Sequence, residues 1–453
     1  MIDNQNTLEK LYKANSVTLR SPRKIRGSVN IAPDKSISHR AAFLATLADG
    51  DSYIYNYLDG KDTINTLECL KQLGVKVHKD KEKIIIEGLG GKSLKESNDI
   101  LNVGTSATTM RFLSGLVAPE SFLTIITGTN RTIYRPMDRI ISPLTMMGAQ
   151  ILGKQNNTLA PLAIRGKDLQ GIDYSNDFPS GEVKTALILA ALKAKGKTTI
   201  KSRLASRDHT ERMLTIMGKN LEVSNEGKCI KINPLSSPLR PCDFKIPNEI
   251  SVAVYWIVLG LVHPDSDLLI KNVGVNPTRT GLIDILEKMG ANIKILNYRE
   301  ESNEPVGDIK VSSSKLKGVI IEESLYPRMV DEFPGFALAA SLAEGVTIIK
   351  GATDLKNKKT NRIKSIVEEF SKLGAIVYKT EDGMIFEGVK YLNGNVCTSH
   401  GDHRTGNSLI MAGLVAEGVT KVENILPVAR TSYPKIWDEI INICGKESII
   451  NFE

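Results

Sequence analysis

The segment RAAFLATLADGDSYIYN, residues 40–56, sets the architecture of this 453-residue chain, because five further segments repeat its pattern. Each begins with a run of apolar and small residues, passes through a short turn, and ends in a stretch rich in β-branched or aromatic residues. The other five are residues 110–128, 184–202, 252–272, 335–351 and 407–424. A helix without a polar face has to be buried, and the stretch after it is typical of a strand. The sequence therefore predicts six units, each with a buried helix that leads into a strand.

A second repeat supports this division. A glycine that ends a helix recurs at intervals of 70 to 84 residues, at Gly74, Gly148, Gly218, Gly290, Gly374 and Gly445. Glycine is favoured after a helix because the backbone there adopts positive φ, and each of these glycines precedes a predicted strand. Six such units indicate an α/β fold in which buried helices pack under sheets, most simply as two domains of three units. Prolines between 241 and 247 place the boundary near the middle of the chain.

The composition excludes several classes of protein. Hydrophobic residues make up 41% and charged residues 24% of the chain, which is typical of a folded, soluble protein. The most apolar stretch, residues 252–262, is shorter than the ~20 residues that cross a bilayer, and the first ten residues resemble no targeting peptide. The five cysteines are scattered without a C-x-x-C pair. We therefore expect a cytoplasmic protein with reduced thiols, no membrane segment and no zinc site.

Charged and polar residues collect where the buried helices begin. They are Lys35, Ser36 and Arg40; Ser106, Thr108 and Arg111; Ser180, Glu182 and Lys184; Asn248, Glu249 and Ser251; Asp331 and Glu332; Asp402, His403 and Arg404. Ser, Thr and Asp are ordinary helix caps. Capping does not explain Lys and Arg beside the positive end of a helix, whereas an anionic ligand at the helix N-terminus does.

Basic loops extend this pattern, and the net charge of +8 admits any anionic partner. The loop residues are Arg131, Arg135, Arg139, Arg203, Arg207, Lys356, Lys358, Lys359 and Arg362. Because they lie on equivalent loops of a repeat, we expect them to line one cleft that suits substrates rich in phosphate and carboxylate. Nucleic acid is the rival anion, but it favours interleaved aromatic residues, and these are only 5% of the chain. The sequence favours small substrates.

Seven motifs, in this order, resemble the 5-enolpyruvylshikimate-3-phosphate (EPSP) synthase family of enolpyruvyl transferases. They are PDKSISHR (33–40), RPM (135–137), SRDHTERML (206–214), NPTRTG (276–281), VDEFP (330–334), TNRI (360–363) and GDHR (401–404). The resemblance implies an inside-out α/β barrel of two domains, each of three βαβαββ units. We expect residues 34–247 to form one domain, and residues 1–33 with 248–453 to form the second.

The family transfers the carboxyvinyl group of phosphoenolpyruvate to the 5-hydroxyl of shikimate 3-phosphate and releases phosphate, in the biosynthesis of aromatic amino acids. The resemblance implies that these two small molecules are the partners and that no metal or organic cofactor is required. We expect a monomer that binds neither nucleic acid nor membrane.

Site roles carry over position by position. The implied catalytic residues are Asp331, which would take the proton of the attacking hydroxyl, and Lys35, Lys358 and His403. The implied phosphoenolpyruvate-binding residues are Lys35, Arg135, Arg362, Arg404, Ala107 and Glu182. The residues implied to hold shikimate 3-phosphate are Ser36, Arg40, Ser180, Gly181, Ser206, Asp331 and Lys358. This set suits the chemistry, because phosphoenolpyruvate carries about three negative charges and its addition passes through a cationic carbon.

Four positions depart from the family pattern. Lys359 stands where a glutamate normally shares proton transfer, and Glu182 stands where a neutral glutamine normally meets the ligands. Ala107 and Thr105 replace a glycine and an asparagine, and the extra methyl group at Ala107 should crowd bulkier phosphoenolpyruvate mimics such as glyphosate. Glu182 and Lys359 would compensate each other if they formed a swapped ion pair, which the sequence does not decide.

These departures leave three functions open. The leading hypothesis is carboxyvinyl transfer to shikimate 3-phosphate. The alternatives are a divergent member that uses another alcohol acceptor and an inactive relative that binds anionic metabolites. The sister enzyme that acts on UDP-N-acetylglucosamine is disfavoured, because its loop carries a cysteine and this chain has none between Cys69 and Cys229.

Overall fold

A computed structural model of the chain describes residues 4–176, 179–219, 221–358, 360–431 and 433–453. The chain divides into two compact units. Unit 1 comprises Met1–Ala32, Pro247–Arg299 and Pro305–Glu453, and unit 2 comprises Pro33–Ile246 with Glu300–Glu304. None of the described helices is both long and apolar enough to cross a membrane.

One or more partly exposed helices separate each buried helix from the next along the chain. In chain order they are α1 (Asn4–Lys13), α2 (Lys35–Thr46), α3 (Lys61–Gln72), α4 (Ala107–Val117), α5 (Asn130–Ile133), α6 (Asp138–Met146), α7 (Lys154–Asn157), α8 (Gly181–Ala191), α9 (His209–Ile216), α10 (Ile250–Val262), α11 (Gly281–Lys288), α12 (Tyr326–Met329), α13 (Phe333–Leu342), α14 (Arg362–Lys372), α15 (His403–Gly413), α16 (Leu426–Thr431) and α17 (Ile436–Cys444). Short 3₁₀ helices lie at Glu323–Leu325, Thr353–Asn357 and Lys446–Ser448.

Most strands have five residues or fewer, whereas Ser266–Gly274, Asn292–Glu301 and Glu304–Ser312 have nine or ten. In chain order they are β1 (Ser16–Arg20), β2 (Ile25–Val29), β3 (Asp51–Tyr55), β4 (Lys76–Lys79), β5 (Lys83–Glu87), β6 (Leu101–Asn102), β7 (Leu123–Thr127), β8 (Gln150–Gly153), β9 (Leu159–Arg165), β10 (Asp173–Asn176), β11 (Thr198–Ser202), β12 (Glu222–Ser224), β13 (Cys229–Ile232), β14 (Asp243–Lys245), β15 (Ser266–Gly274), β16 (Asn292–Glu301), β17 (Glu304–Ser312), β18 (Ile320–Ile321), β19 (Val346–Ile349), β20 (Ile376–Lys379), β21 (Met384–Glu387), β22 (Val396–Thr398), β23 (Val419–Glu423) and β24 (Ile449–Phe452).

The described strands form six four-stranded sheets, three in each unit. The orders are β14-β3-β5-β4, β6-β7-β9-β8 and β10-β11-β13-β12 in unit 2, and β16-β17-β15-β2, β18-β19-β21-β20 and β22-β23-β1-β24 in unit 1. The mixed α/β class is thus confirmed. Among these described strands the sheets are separate and none closes into a barrel.

Each sheet contains one parallel pair, and a buried helix usually connects it. The helix α4 joins β6 to β7, α8 joins β10 to β11, α13 joins β18 to β19, and α15 joins β22 to β23. Parallel neighbours need such a crossover, because the chain has to return to the same end of the sheet. In the other two sheets the parallel partner comes from a distant part of the sequence, with β14 beside β3 and β2 beside β15.

The six apolar helices predicted from the repeat are confirmed as buried elements. In unit 2, α4 packs against α8 and α2, and in unit 1, α13 packs against α10 and α15. Every residue of α10 from Ile250 to Leu261 is buried, which explains why this helix has no polar face. Its Trp256 donates its indole N–H to the hydroxyl of Tyr433 over 2.7 Å, so the one polar group of the ring is satisfied.

The helix-ending glycines have the expected backbone. Gly74, Gly218 and Gly374 all have φ between +85° and +87°, each two residues after its helix ends. Gly445 differs, because it directly follows α17 and leads into a 3₁₀ helix rather than a strand. Gly74, Gly148, Gly290 and Gly374 each lead from a partly exposed helix into a strand.

Candidate active site

The buried helices of unit 2 begin with side-chain caps. Asp34, Ser106 and Ser180 each accept a hydrogen bond from the backbone N–H three residues later, over 2.8, 3.1 and 3.3 Å. Such caps start a helix at a defined residue. The helix starts of α2, α4 and α8 therefore present Lys35, Ala107 and Gly181 as their first residues.

Lys35 is held by an acidic partner that the sequence pattern did not reveal. Its ammonium Nζ lies 3.3 Å from Oδ2 of Asp62, a buried residue in the first turn of α3. The other oxygen of Asp62 accepts a hydrogen bond from the hydroxyl of Thr105 over 2.6 Å. Thr105 is one of the four altered positions, and in this chain it helps to fix the carboxylate that faces Lys35.

Arg40 is buried and ties three elements together. Its guanidinium donates to the carbonyl of Ser36 (2.9 Å), the carbonyl of Gly181 (3.0 Å) and the hydroxyl of Thr210 (3.0 Å). Burial, together with the nearby charge of Arg207, lowers the pKa of Arg40 to about 10. Two guanidinium groups that disfavour each other's charge mark a position where an anion would be stabilised.

Arg207 and Ser206 lie on the loop before α9. A guanidinium nitrogen of Arg207 is 3.5 Å from the hydroxyl of Ser36. Ser206 is buried, and its carbonyl accepts a hydrogen bond from Lys184 over 3.2 Å. Lys184 also forms an ion pair with Glu211. The structure thus brings Ser36, Arg40, Gly181 and Ser206 into one connected cluster in unit 2.

Glu182 has partners different from the one considered from the sequence. Its carboxylate accepts hydrogen bonds from the hydroxyl of Thr108 (2.5 Å) and from the guanidinium of Arg111. Burial raises the pKa of Glu182, but Arg111, Thr108 and Arg135 outweigh it and lower that pKa to about 2. Lys359, the proposed partner in a swapped ion pair, lies outside the described residues.

Two further predicted residues of unit 2 flank this pair. Ala107 is the first residue of α4 and is half-buried, directly before Thr108. Arg135 follows the short helix α5 and is half-buried, and its backbone N–H donates to the carbonyl of Thr132 over 3.0 Å. Its charge acts on Glu182, which connects this loop to the start of α8.

In unit 1 the predicted base is surrounded by arginines. The carboxylate of Asp331 lies 3.3 Å from Arg362 and 3.9 Å from Arg404, measured to a guanidinium nitrogen of each. Both arginines are buried, whereas the side chain of Asp331 is 23% exposed. A carboxylate with two fixed cations beside it and access to a ligand combines a proton acceptor with an anion site.

Other carboxylates hold the two arginines in place. Arg362 donates to Asp402, the cap of α15, over 3.0 Å. Arg404 donates to Glu249 over 3.0 Å and to the carbonyl of Ser251 over 3.1 Å. Burial lowers the pKa of Arg404, but the charges of Asp331 and Glu249 outweigh it, and the pKa of Arg404 stays well above its usual value. Both guanidinium groups therefore remain charged.

Lys358 also has a nearby acidic partner. Its Nζ lies 2.7 Å from Oδ2 of Asp354, which also accepts a hydrogen bond from the hydroxyl of Tyr326 over 3.2 Å. Burial lowers the pKa of Lys358, and the charges of Asp354 and Asp331 offset part of that shift. A lysine with a lowered pKa exchanges protons more readily near neutral pH.

His403 is the first residue of α15 and is buried. Its Nδ1 lies 3.6 Å from Oδ1 of Asp402. Since Asp402 also binds Arg362, the predicted residues Asp331, Arg362, His403 and Arg404 belong to one connected cluster in unit 1. Among the described residues, no three His, Cys, Asp or Glu side chains are grouped as a metal ion requires.

Asp62 and Asp354 are the site residues that sequence reasoning missed. Neither belongs to one of the seven family motifs, and each stands in a polar stretch of sequence of the kind found at protein surfaces. Only their positions beside Lys35 and Lys358 distinguish them. Arg207 and Arg111 were predicted only as members of the basic loops and helix starts that would meet an anion, without an individual role at the site.

Residues 19–440 match the family described as EPSP synthase (3-phosphoshikimate 1-carboxyvinyltransferase). The chain belongs to the EPSP synthase family. It is 42% identical to the 3-phosphoshikimate 1-carboxyvinyltransferases of Bacillus cereus (strain B4264) and Bacillus thuringiensis subsp. konkukian, over 92% of this chain and 96% of each relative.

Solved structures of the EPSP synthase family agree. A structure titled as EPSP synthase from Acinetobacter baumannii, determined at 2.37 Å, matches with a TM-score of 0.85 and 33% sequence identity, over 97% of this chain and 99% of that chain. A second structure of EPSP synthase from the same organism matches with a TM-score of 0.83 and 34% identity over the same shares. The family resemblance carried by the seven motifs is therefore confirmed.

Proposed function

We propose that this chain catalyses transfer of the carboxyvinyl group of phosphoenolpyruvate to the 5-hydroxyl of shikimate 3-phosphate, with release of phosphate, in the shikimate pathway. The observation that carries the proposal is Asp331 beside the buried cations Arg362 and Arg404. It supplies a proton acceptor and two anion-binding groups at one place, in a chain of the EPSP synthase family.

Addition forms a carbon–oxygen bond and a carbon–hydrogen bond, while the O–H bond of the acceptor breaks and the double bond of phosphoenolpyruvate becomes a single bond. The 5-hydroxyl oxygen of the acceptor bonds to the central carbon of phosphoenolpyruvate, and its proton passes to Asp331. The methylene carbon gains a proton, which we assign to Lys35 or Lys358, and a tetrahedral phosphate-bearing intermediate results. Fixed cations stabilise the charges that develop during this step. Arg135, Arg362 and Arg404 would bind the phosphate and carboxylate of phosphoenolpyruvate, and His403 would line the site.

Elimination then regenerates the double bond. The methyl group of the intermediate loses a proton, the carbon–oxygen bond to phosphate breaks, and phosphate leaves with the electron pair of that bond. In most members a glutamate next to the conserved lysine shares this proton transfer, and Lys359 occupies that position here. We therefore assign both proton transfers at the methylene carbon to the lysines, of which Lys358 has a lowered pKa.

The cluster of unit 2 suits the acceptor. Ser36, Ser180, Gly181 and Ser206 supply neutral hydrogen-bonding groups, and Arg40 supplies a buried cation whose pKa is lowered by burial and by Arg207. A phosphate or carboxylate of shikimate 3-phosphate would offset the repulsion between the two guanidinium groups. This is the physical reason for placing the phosphorylated acceptor at this cluster.

Finer features follow from the same family resemblance. We propose that the three sheets of each unit surround its buried helices as in an inside-out α/β barrel of βαβαββ units. The two domains would have boundaries at residues 33–34 and 247–248. We further propose a cytoplasmic monomer that needs neither a metal ion nor an organic cofactor, since cationic side chains supply the charge that the chemistry demands.

The test is direct. The purified chain is incubated with phosphoenolpyruvate and shikimate 3-phosphate, and both phosphate and the enol ether product are quantified. We expect equal amounts of the two, with no phosphate released when the acceptor is omitted. Turnover only with a different alcohol, or binding of both substrates without turnover, would contradict the proposal.

A further inference from the structure

Glu182 is negatively charged, whereas basic residues stand near the starts of the buried helices of unit 2. It is the second residue of α8, and its carboxylate accepts hydrogen bonds from Thr108 and Arg111, both on α4. The side chain of Arg111 is 11% exposed and that of Glu182 is 34% exposed. Solvent, and hence a ligand, can reach the glutamate side of this ion pair.

The charge of Glu182 is permanent under physiological conditions. Although burial raises its pKa, Arg111, Thr108 and Arg135 lower it to about 2. The carboxylate therefore stays ionised at any pH at which the protein would be assayed. Because the influence of Arg135 on Glu182 is one of these causes, the two charges also act on each other in the opposite sense, and Glu182 reduces the positive potential at Arg135.

A resident carboxylate competes with an incoming anion for the same cations. Arg111 and Arg135 both act on Glu182, and the single negative charge of Glu182 offsets about one of their two positive charges. The resulting loss of attraction scales with the charge of the ligand, so a trianion loses more than a monoanion. Salt weakens the effect, because the ligand and the carboxylate interact partly through solvent.

We infer that Glu182 is a specificity-determining residue that weakens the binding of multiply charged anions, phosphoenolpyruvate included, by neutralising Arg111 and lowering the potential at Arg135. This inference rests on the proposed function for the identity of the anion. It differs from the expectation that Glu182 simply contacts the substrate, since here its charge opposes binding.

The test uses the isosteric variant Glu182→Gln, which removes the charge, keeps one oxygen as the acceptor for Arg111, and turns an amide N–H toward the hydroxyl of Thr108, which can accept it. Dissociation constants are measured by calorimetry for phosphoenolpyruvate, inorganic phosphate and pyruvate, at low and at high salt. We expect affinity to rise about tenfold for phosphoenolpyruvate, about threefold for phosphate and about twofold for pyruvate, with smaller gains at high salt.

Two control variants separate charge from structure. Glu120→Gln makes the same substitution at a buried glutamate of unit 2 that pairs with Lys193 over 2.6 Å, and it should leave all three affinities unchanged. Glu182→Asp keeps the charge and should keep the weak affinity. An unchanged or weaker affinity for phosphoenolpyruvate in Glu182→Gln, or an equal gain for all three anions, would overturn the inference.

The binding series also separates the inference from the proposed function. If the wild-type chain binds these anions but does not turn over with shikimate 3-phosphate, the proposed function fails while the affinity ranking still tests Glu182. If turnover occurs and the ranking is absent, only the inference fails. Should Glu182→Gln unfold, Glu182→Ala measured with the same three anions serves as the second variant, with the same ranking expected.

Discussion

The carboxylate of Asp331 lies 3.3 Å from the guanidinium of Arg362, which is itself bound to Asp402 over 3.0 Å. Arg362 therefore pairs with two carboxylates, the partly exposed one of Asp331 and the fully buried one of Asp402. The buried partner fixes the position of the guanidinium, so Asp331 can exchange its arginine contact for a ligand without leaving Arg362 unpaired. Asp331 is therefore the first residue whose role should be tested by substitution.

We expect Asp331→Asn to lower turnover by at least about 100-fold, because the amide cannot accept the hydroxyl proton. The Michaelis constants should change little, since Arg362 and Arg404 remain charged and in place. Steady-state rates of phosphate release measure both quantities. Asp265→Asn, which removes an exposed carboxylate paired with Arg26, is the control and should be fully active. Turnover of Asp331→Asn near the wild-type level would contradict the assigned base.

Asp62→Asn should impair catalysis through Lys35. The amide keeps one oxygen as the acceptor for the hydroxyl of Thr105, but it places an N–H group beside Nζ of Lys35 and removes the negative charge. The ammonium group therefore loses its ionic partner and samples more positions. We expect turnover to fall about tenfold or more, with retained folding checked by thermal unfolding. The matched control is Asp59→Asn, three residues earlier, where the carboxylate is exposed and pairs with Lys79. Equal rates in the two variants would show that Asp62 does not act through Lys35.

Removal of Asp354 should move the alkaline limb of the pH–rate profile. Burial lowers the pKa of Lys358 and the charge of Asp354 raises it, so Asp354→Asn should lower that pKa further. If turnover requires the protonated lysine, the alkaline limb shifts to lower pH. The profile of kcat is measured for the wild type, for Asp354→Asn and for Glu322→Gln, which lies in an exposed pair with Lys350. A limb that stays in place in Asp354→Asn would exclude Lys358 as its origin.

His39 should make the protein less stable in mild acid. It is buried against the hydroxyl of Thr66 over 2.7 Å, and burial lowers its pKa to about 3. The unfolded chain therefore binds a proton below pH ~6.5 that the native state refuses, and stability falls as the pH falls, by up to about 1.4 kcal/mol per pH unit.

The variant His39→Gln removes this titration. Between pH 7 and pH 5 its free energy of unfolding, measured in urea, should fall about 2 kcal/mol less than that of the wild type. His78→Gln, which alters an exposed histidine of β4, should keep the wild-type dependence. Parallel curves for the wild type and His39→Gln would show that His39 is protonated in the native state.

Much of the fold was predictable because its signals are local. A helix such as α10, which is apolar around its whole circumference, is stable only when it is buried. The turn and the strand that follow it are predicted from equally local patterns. Glycines such as Gly74 mark helix ends by a preference for positive φ that is strongest in glycine. Pairing of β14 with β3 was not predictable, because nothing in two short strands far apart in sequence specifies their partner.

The site divides in the same way. Lys35, Asp331 and Arg404 stand in motifs at helix starts, so their approximate positions followed from the repeat. The identity of their ion-pair partners did not follow from the sequence, because an ion pair depends on proximity in three dimensions. In the sequence, Asp62 resembles any acidic residue of a protein surface. The same limit left the partner of Glu182 open, which proved to be Arg111 with Thr108.

The sequence by itself determined the six-unit α/β organisation, the family and the residue types at the helix starts, since each depends on patterns within one segment or on motifs in a fixed order. Only the tertiary structure decided which carboxylate faces which cation. Asp62 beside Lys35, Asp354 beside Lys358 and Glu182 beside Arg111 arise from packing between different helices and loops. The strength of an ion pair depends on the distance between its two charges and on how deeply they are buried. No single stretch of the sequence determines either quantity.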